Sequence, residues 1–211
     1  MAASLQNGIP TEVGVSSDFM AVCPPAPTLI APPPEVLNDG VVTLRRWRIS
    51  DADMLFAAIT VSRPRLAEWM PWARNETYER EEAVGFLKRT TTKWEDNTEW
   101  NYAITITQGG GLEEILGSCG LMRRDDHPGL DIGYWLANGY TGYGYATAAA
   151  KLLTAQGLEM NAPSVRILHD KKNTRSGAVP RRLGFECEGE IETDGSLDVA
   201  WVKYPEPMPE E

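Results

Sequence analysis

The chemistry of this chain gathers first at a glycine turn. Ile132 to Leu136 is an apolar run that predicts a strand, and Tyr145 to Leu158 predicts a helix, with Tyr145, Ala148, Ala149, Leu152 and Leu153 at helical spacing. Between them stand Gly139, Gly142 and Gly144. A turn that feeds a strand into a helix leaves backbone N–H groups free at the positive end of the helix dipole, which suits an anion. Gly142 and Gly144 have no Cβ, so a phosphate, or a pyrophosphate, can approach the backbone. A ligand-free tight turn is the plainer alternative, and the turn alone leaves both open. Of two known phosphate motifs, one fits poorly and the other is absent. Thr147 stands where a dinucleotide fingerprint needs its third glycine, and no Gly-Lys-Ser/Thr is present.

Other chemistries find little support. The cysteines are Cys23, Cys119 and Cys187, an odd number without C-x-x-C spacing, and they read as free thiols in a reducing, cytoplasmic setting. With two histidines, His127 and His169, and no paired cysteines, no metal site is expected. The net charge of −10 argues against a nucleic-acid partner and sits more easily with a neutral or cationic one. No stretch approaches 18 consecutive apolar residues, so no membrane span is expected.

The elements that must position the turn follow from the pattern. Residues 1–38 hold seven of the 15 prolines, and the first basic residue is Arg45, so this stretch reads as an extended or disordered arm without a targeting signal. An arm packed on the domain or on a second copy, giving a homodimer, is the alternative. A domain is expected over residues 40–205, followed by an acidic tail at 206–211. Val41 to Trp47 predicts a strand, and Ser50 caps a helix through Thr60. Pro64 starts a second short helix ending near Trp69–Trp72, and Thr77 caps a third. Strands are expected at Trp100–Thr107, Ile115–Met122 and Leu130–Leu136, antiparallel because their connections are short. After the Tyr145 helix come a strand at Ser164–His169, a short helix at Arg175–Leu183 and a closing hairpin. This order predicts an α+β domain with a mixed, mainly antiparallel twisted sheet flanked by helices.

Several stretches together resemble the GNAT family of acyl-CoA N-acyltransferases, in its RimJ/RimL-like branch. They are Val42-Thr43-Leu44-Arg45 with Asp51-Ala52, Leu66-Ala67-Glu68-Trp69-Met70-Pro71-Trp72, Asp131-Ile132-Gly133-Tyr134-Trp135-Leu136, Gly142-Tyr143-Gly144-Tyr145-Ala146-Thr147, Asn173-Thr174-Arg175-Ser176 and Leu183-Gly184-Phe185. The resemblance covers residues 41 to 204. It implies acetyl-CoA as donor and a primary amine as acceptor, either a protein N-terminus or a small molecule. It also implies that the backbone from Gly142 through Tyr143, Gly144, Tyr145 and Ala146 to Thr147 cradles the pyrophosphate. Thr141 stands where the family signature has Gln or Arg. The backbone of Tyr134, Trp135 and Leu136 would pair with pantetheine, and Asn173 would approach it near the thioester.

Acetyl transfer to an amine needs a proton acceptor for the ammonium and a donor for the departing thiolate. The resemblance puts Asp131 beside the cleft as base, directly or through water; pairing with Arg123 or Arg124 is its structural alternative. Glu68 and His169 are further candidates. Many relatives carry a tyrosine seven residues after the asparagine, but here that position is Pro180, which should shorten or kink its helix. Ser176 is then the nearest acid, with Tyr134, Tyr140, Tyr143 or Tyr145 as substitutes. Trp69 and Trp72 line the acceptor entrance or anchor the preceding helix. A non-catalytic acyl-CoA-binding module is the second reading.

Overall fold

The computed structural model describes residues 31–75, 77–107, 111–193 and 196–206. Its strands and helices run β1 (Val36–Asn38), β2 (Thr43–Arg46), α1 (Ala52–Leu66), α2 (Arg80–Glu95), β3 (Glu99–Thr107), β4 (Glu113–Arg124), β5 (His127–Leu136), α3 (Tyr145–Glu159), β6 (Val165–Asp170), α4 (Thr174–Arg182), β7 (Glu186–Thr193) and β8 (Ser196–Lys203). The strands form one eight-stranded sheet in the order β1-β2-β3-β4-β5-β6-β8-β7. Neighbours pair antiparallel except β5 and β6, which are parallel because α3 crosses between them.

Alternation along the strands sends neighbouring residues to opposite layers. Ala103 and Ile115 pack with Leu55 and Ile59 of α1 and Ala83 and Leu87 of α2. Ile104 and Leu116 pack with Ala149, Ala150 and Leu153 of α3, together with Leu121 and Ile132. The sheet therefore lies between α1 and α2 on one side and α3 on the other, with α4 against α3 and β6.

The feature that matters for function is how little β5 and β6 pair. Only Leu130↔Val165 and Asp131↔Arg166 are in register. Beyond Asp131 the strands part, while β6 stays paired with β8 as far as Asp170. The last five residues of β5, Ile132 to Leu136, thus border a notch in the sheet.

Several sequence expectations shift. The sheet begins before Gly40: β1 lies inside the stretch assigned to the arm, and Tyr102 donates to the Pro34 carbonyl at 2.8 Å. Three residues beside a proline run carry too little periodicity to announce a strand. Pro64 does not open a second helix but lies inside α1, near its end, where its missing N–H forfeits one late bond. Glu79 and Glu82 form the box that caps α2, in place of Thr77. Pro180 lies within α4, which runs nine residues through it. Both strands of the β4–β5 hairpin extend into the connection between the expected strand ends Met122 and Leu130. The turn of the expected closing hairpin, at Asp194-Gly195, lies outside the described residues, as do Cys23, most of the arm and most of the tail.

The sheet edges differ in character. At the outer edge, β7 carries Glu186, Glu188, Glu190 and Glu192, all exposed. No helix among the described residues is long and apolar enough to cross a membrane.

Candidate functional site

The glycine turn opens directly from the end of β5. Asn138 fixes it to α1: its backbone N–H donates to Ser62 Oγ at 2.8 Å and its side-chain amide to the Val61 carbonyl at 2.7 Å. Gly142 and Gly144 have φ of 90° and 87°, and no atom lies within 4 Å of the place a Cβ would take at either. Backbone conformation, not crowding, demands glycine here. Gly144 is the N-cap of α3, yet no side chain caps that helix and no acidic residue lies in its first turn. By contrast, α2 has its glutamate box and α4 has Asn173. The first N–H groups of α3, from Tyr145, Ala146 and Thr147, are left for an external acceptor at the positive end of the dipole. Thr141 is half-buried beside this turn, and Tyr143 is exposed, with its ring stacked on Tyr145 at 5.9 Å between centroids. The donors present fit a phosphate or pyrophosphate.

Tyr134 joins β5 to α4. Its phenol lies 3.1 Å from the Ser176 carbonyl, to which it donates, and 3.2 Å from the Ser176 hydroxyl. Burial pushes the phenol up to about 12, against a weaker opposing effect of Ser176, so it keeps its proton at neutral pH. Asn173 caps α4, its Oδ1 accepting the Ser176 N–H at 3.1 Å. The structure thus brings Tyr134, Ser176 and Asn173 together. Tyr140 instead bonds Glu114, away from this group.

Asp131 occupies the last paired rung before the notch. Arg166, its register partner, donates Nε to Oδ1 at 2.8 Å and Nη2 to Oδ2 at 3.1 Å. Arg124 is more distant, at 3.7 Å, and the expected Arg123 instead donates to the Asn97 carbonyl. Both Asp131 and Arg166 are buried. For Arg166, burial acts to lower the pKa, but hydrogen bonds to Asp131 and Asp126 outweigh it and raise it. Arg166 was not singled out from sequence, because its partnership spans 35 residues and depends on strand register.

The remaining candidates divide. Trp72 is 43% exposed and packs on Trp135, ring centroids 6.2 Å apart at 58°, while Trp69 is half-buried. His169 is packed: Trp201 Nε1 donates to its Nε2 at 3.1 Å, which leaves its Nδ1–H to donate to the Asp170 carbonyl at 2.8 Å. A Cβ on Gly177 would lie 2.6 Å from that ring. Glu68 is exposed. Arg65, also missed from sequence, reaches from α1 and donates Nη2 to the Leu136 carbonyl at 2.6 Å. One backbone group expected to meet pantetheine is therefore already engaged. Cys119 is buried, which pushes its thiol up and makes it a poor nucleophile. Among the described residues no group of three His, Cys, Asp or Glu gathers as a metal would require.

A sheet that opens between two parallel strands, next to an uncapped glycine turn, makes a cleft suited to an extended ligand with an anionic end. The chain belongs to the acetyltransferase (GNAT) family, whose domain matches residues 42–186. It is 30% identical over 153 residues to YdaF of Bacillus subtilis (strain 168), a protein named as a ribosomal N-acetyltransferase, covering 70% of this chain and 79% of that one. Its fold is similar to RimL, the ribosomal L7/L12 alpha-N-protein acetyltransferase, solved in complex with coenzyme A (TM-score 0.71, 18% identity, 81% of this chain and 98% of that one). It is also similar to the microcin C7 self-immunity acetyltransferase MccE, solved with acetyl-CoA and AMP (TM-score 0.70, 20% identity, 79% and 94%).

Proposed function

We propose that this protein is an N-acetyltransferase that takes acetyl-CoA as co-substrate and passes the acetyl group to a primary amine by direct attack on the thioester. The observation that carries the proposal is the uncapped N-terminus of α3 beside the notch where β5 and β6 part. The α3 N–H groups suit the pyrophosphate, and the edge at Tyr134 and Trp135, short of the Leu136 carbonyl that Arg65 holds, suits an extended amide-bearing arm. The amine nitrogen forms a bond to the acyl carbon, the carbon–sulfur bond breaks, and the sulfur leaves as thiolate. Tyr134 turns its O–H from the Ser176 carbonyl to that thiolate, protonates it, and takes up the second proton that the acetylated nitrogen sheds, so that coenzyme A departs as the thiol. The ammonium proton passes through water to a carboxylate, Asp131 or Glu68. The RimL and YdaF names support a protein N-terminus as acceptor and a cytoplasmic place of action. A small-molecule amine fits the same chemistry.

The test is acetyl-CoA consumption against a panel of peptides and small amines, with products identified by mass spectrometry. Acetylation of at least one amine is expected. Binding of acetyl-CoA without acetylation of any amine would instead establish a non-catalytic acyl-CoA-binding module, a reading that Pro180, in place of a tyrosine, favours.

A further inference from the structure

We infer that the outer face of α1 is a self-association surface, on which two copies of this chain pair antiparallel, α1 against α1, about a two-fold axis.

Helix α1 buries its inner face through Leu55, Ile59 and Leu66. A surface helix then turns charge to water, as α2 does with Glu81, Lys88, Arg89 and Lys93, all exposed. The outer face of α1 does not. Met54, Ala57, Val61 and Pro64 are all exposed, at steps of three, four and three residues along the chain. That is the seam spacing of helices that pack along their length. Met54 is 42% exposed and Val61 67%, and Leu112 beside them is 74% exposed. Apolar on both faces, α1 has the character of a helix covered on both. Met54, Ala58 and Val61 also line a groove of about 530 Å³, whose other side is Leu112, Ile115 and Ala137. The groove reaches Asn138, which Ser62 and Val61 hold at the entry to the glycine turn.

Charge selects a second copy as the occupant. The chain carries −10, so two copies repel one another in general. At this face the acidic groups are already balanced. Arg80 holds Asp53 at 2.6 Å, and Arg45 holds Glu113 at 2.8 Å. The two ends of α1 are also unlike, with Asp53 in the first turn and Arg63 and Arg65 in the last. A two-fold axis crossing the helix at Ala57 and Ala58 makes the pair antiparallel. Each acidic end then meets a basic end, and the helix dipoles oppose. The same axis sets Met54 of one copy against Val61 of the other. The alanines lie at the centre, where two helix axes can approach to about 8 Å. The face thus fits itself, as a two-fold interface requires.

Sedimentation equilibrium of the full chain tests this without any measurement of activity. The wild type is expected to be a dimer at about 100 μM. Met54→Glu and Val61→Lys, each alone, would bury an unpaired charge at both symmetry-related contacts, and each should weaken the dimer about a hundredfold. An equimolar mixture of the two variants should form a heterodimer, because the introduced carboxylate of one meets the introduced ammonium of the other. A monomeric wild type at this concentration would overturn the interface. So would a dimer that either substitution leaves intact, or a mixture that stays monomeric. Circular dichroism checks that the variants are folded. Should a charge unfold the chain, Ala57→Trp, which wedges the helices apart, takes its place, and a dimer that survives it overturns the interface.

Discussion

Tyr134 and Asp131 stand three residues apart on one strand and do different work. Tyr134 is a buried phenol aimed at Ser176 across the notch. Tyr134→Phe should lower kcat about a hundredfold, in keeping with loss of a general acid, with KM for acetyl-CoA little changed. Steady-state kinetics read both numbers. Asp131 has both oxygens on Arg166. If it chiefly clasps the base of the notch, Asp131→Asn leaves a buried guanidinium undercompensated. Urea melts should then show a loss on the order of 3 kcal/mol, while the acidic limb of the pH–rate profile survives. A vanished acidic limb with intact stability would instead make Asp131 the base. Sequence reached Asp131 and its pairing with Arg124, but not Arg166, which strand register alone sets across from it.

Among the elements, the glycine turn was the most legible. A strand, glycines and an alanine-rich helix are local signals, and α3 runs Tyr145–Glu159, one residue past the expected end. The turn also carries a sharp prediction. Gly144 holds φ of 87° with open space around it, so Gly144→Ala strains the backbone without a clash. It should cost about 1–2 kcal/mol and weaken acetyl-CoA binding by roughly tenfold, read by thermal melts and calorimetry. Elements set by tertiary context were less legible. The three residues of β1 gain their place from β2, and α4 tolerates Pro180 because it is short and packs on α3 and β6. Arg65 escaped notice because nothing in Ser62-Arg63-Pro64-Arg65 says that its side chain turns to the end of β5 rather than to water.

At the scale of the whole molecule, one buried ionic cluster ties the first strands to the helical layer. Arg45 on β2 donates to Asp51 at 2.7 Å and 3.0 Å and to Glu113 on β4 at 2.8 Å. Arg45→Ala removes the cation hydrogen-bonded to both carboxylates and should cost about 3–5 kcal/mol in chemical denaturation. The cluster also sets an acid limit. The Arg45 hydrogen bond holds Glu113 below its ordinary value of 4.5, against burial, which acts to raise it. Its folded value is thus below its unfolded one, so its contribution is complete above about pH 4.5 and is lost as pH falls through the depressed value. The midpoint of acid unfolding should accordingly move to higher pH in Glu113→Gln.

The four glutamates of β7 have a consequence for how copies of this chain meet. A sheet edge is an open row of hydrogen-bonding groups that another strand can join. Two β7 edges brought side by side would set carboxylates against carboxylates, with only Glu190 balanced among the described residues, by Lys171, so this edge is fenced against continuation at neutral pH. A second copy is thus steered away from the β7 edge, the end of the sheet beyond β6 and β8.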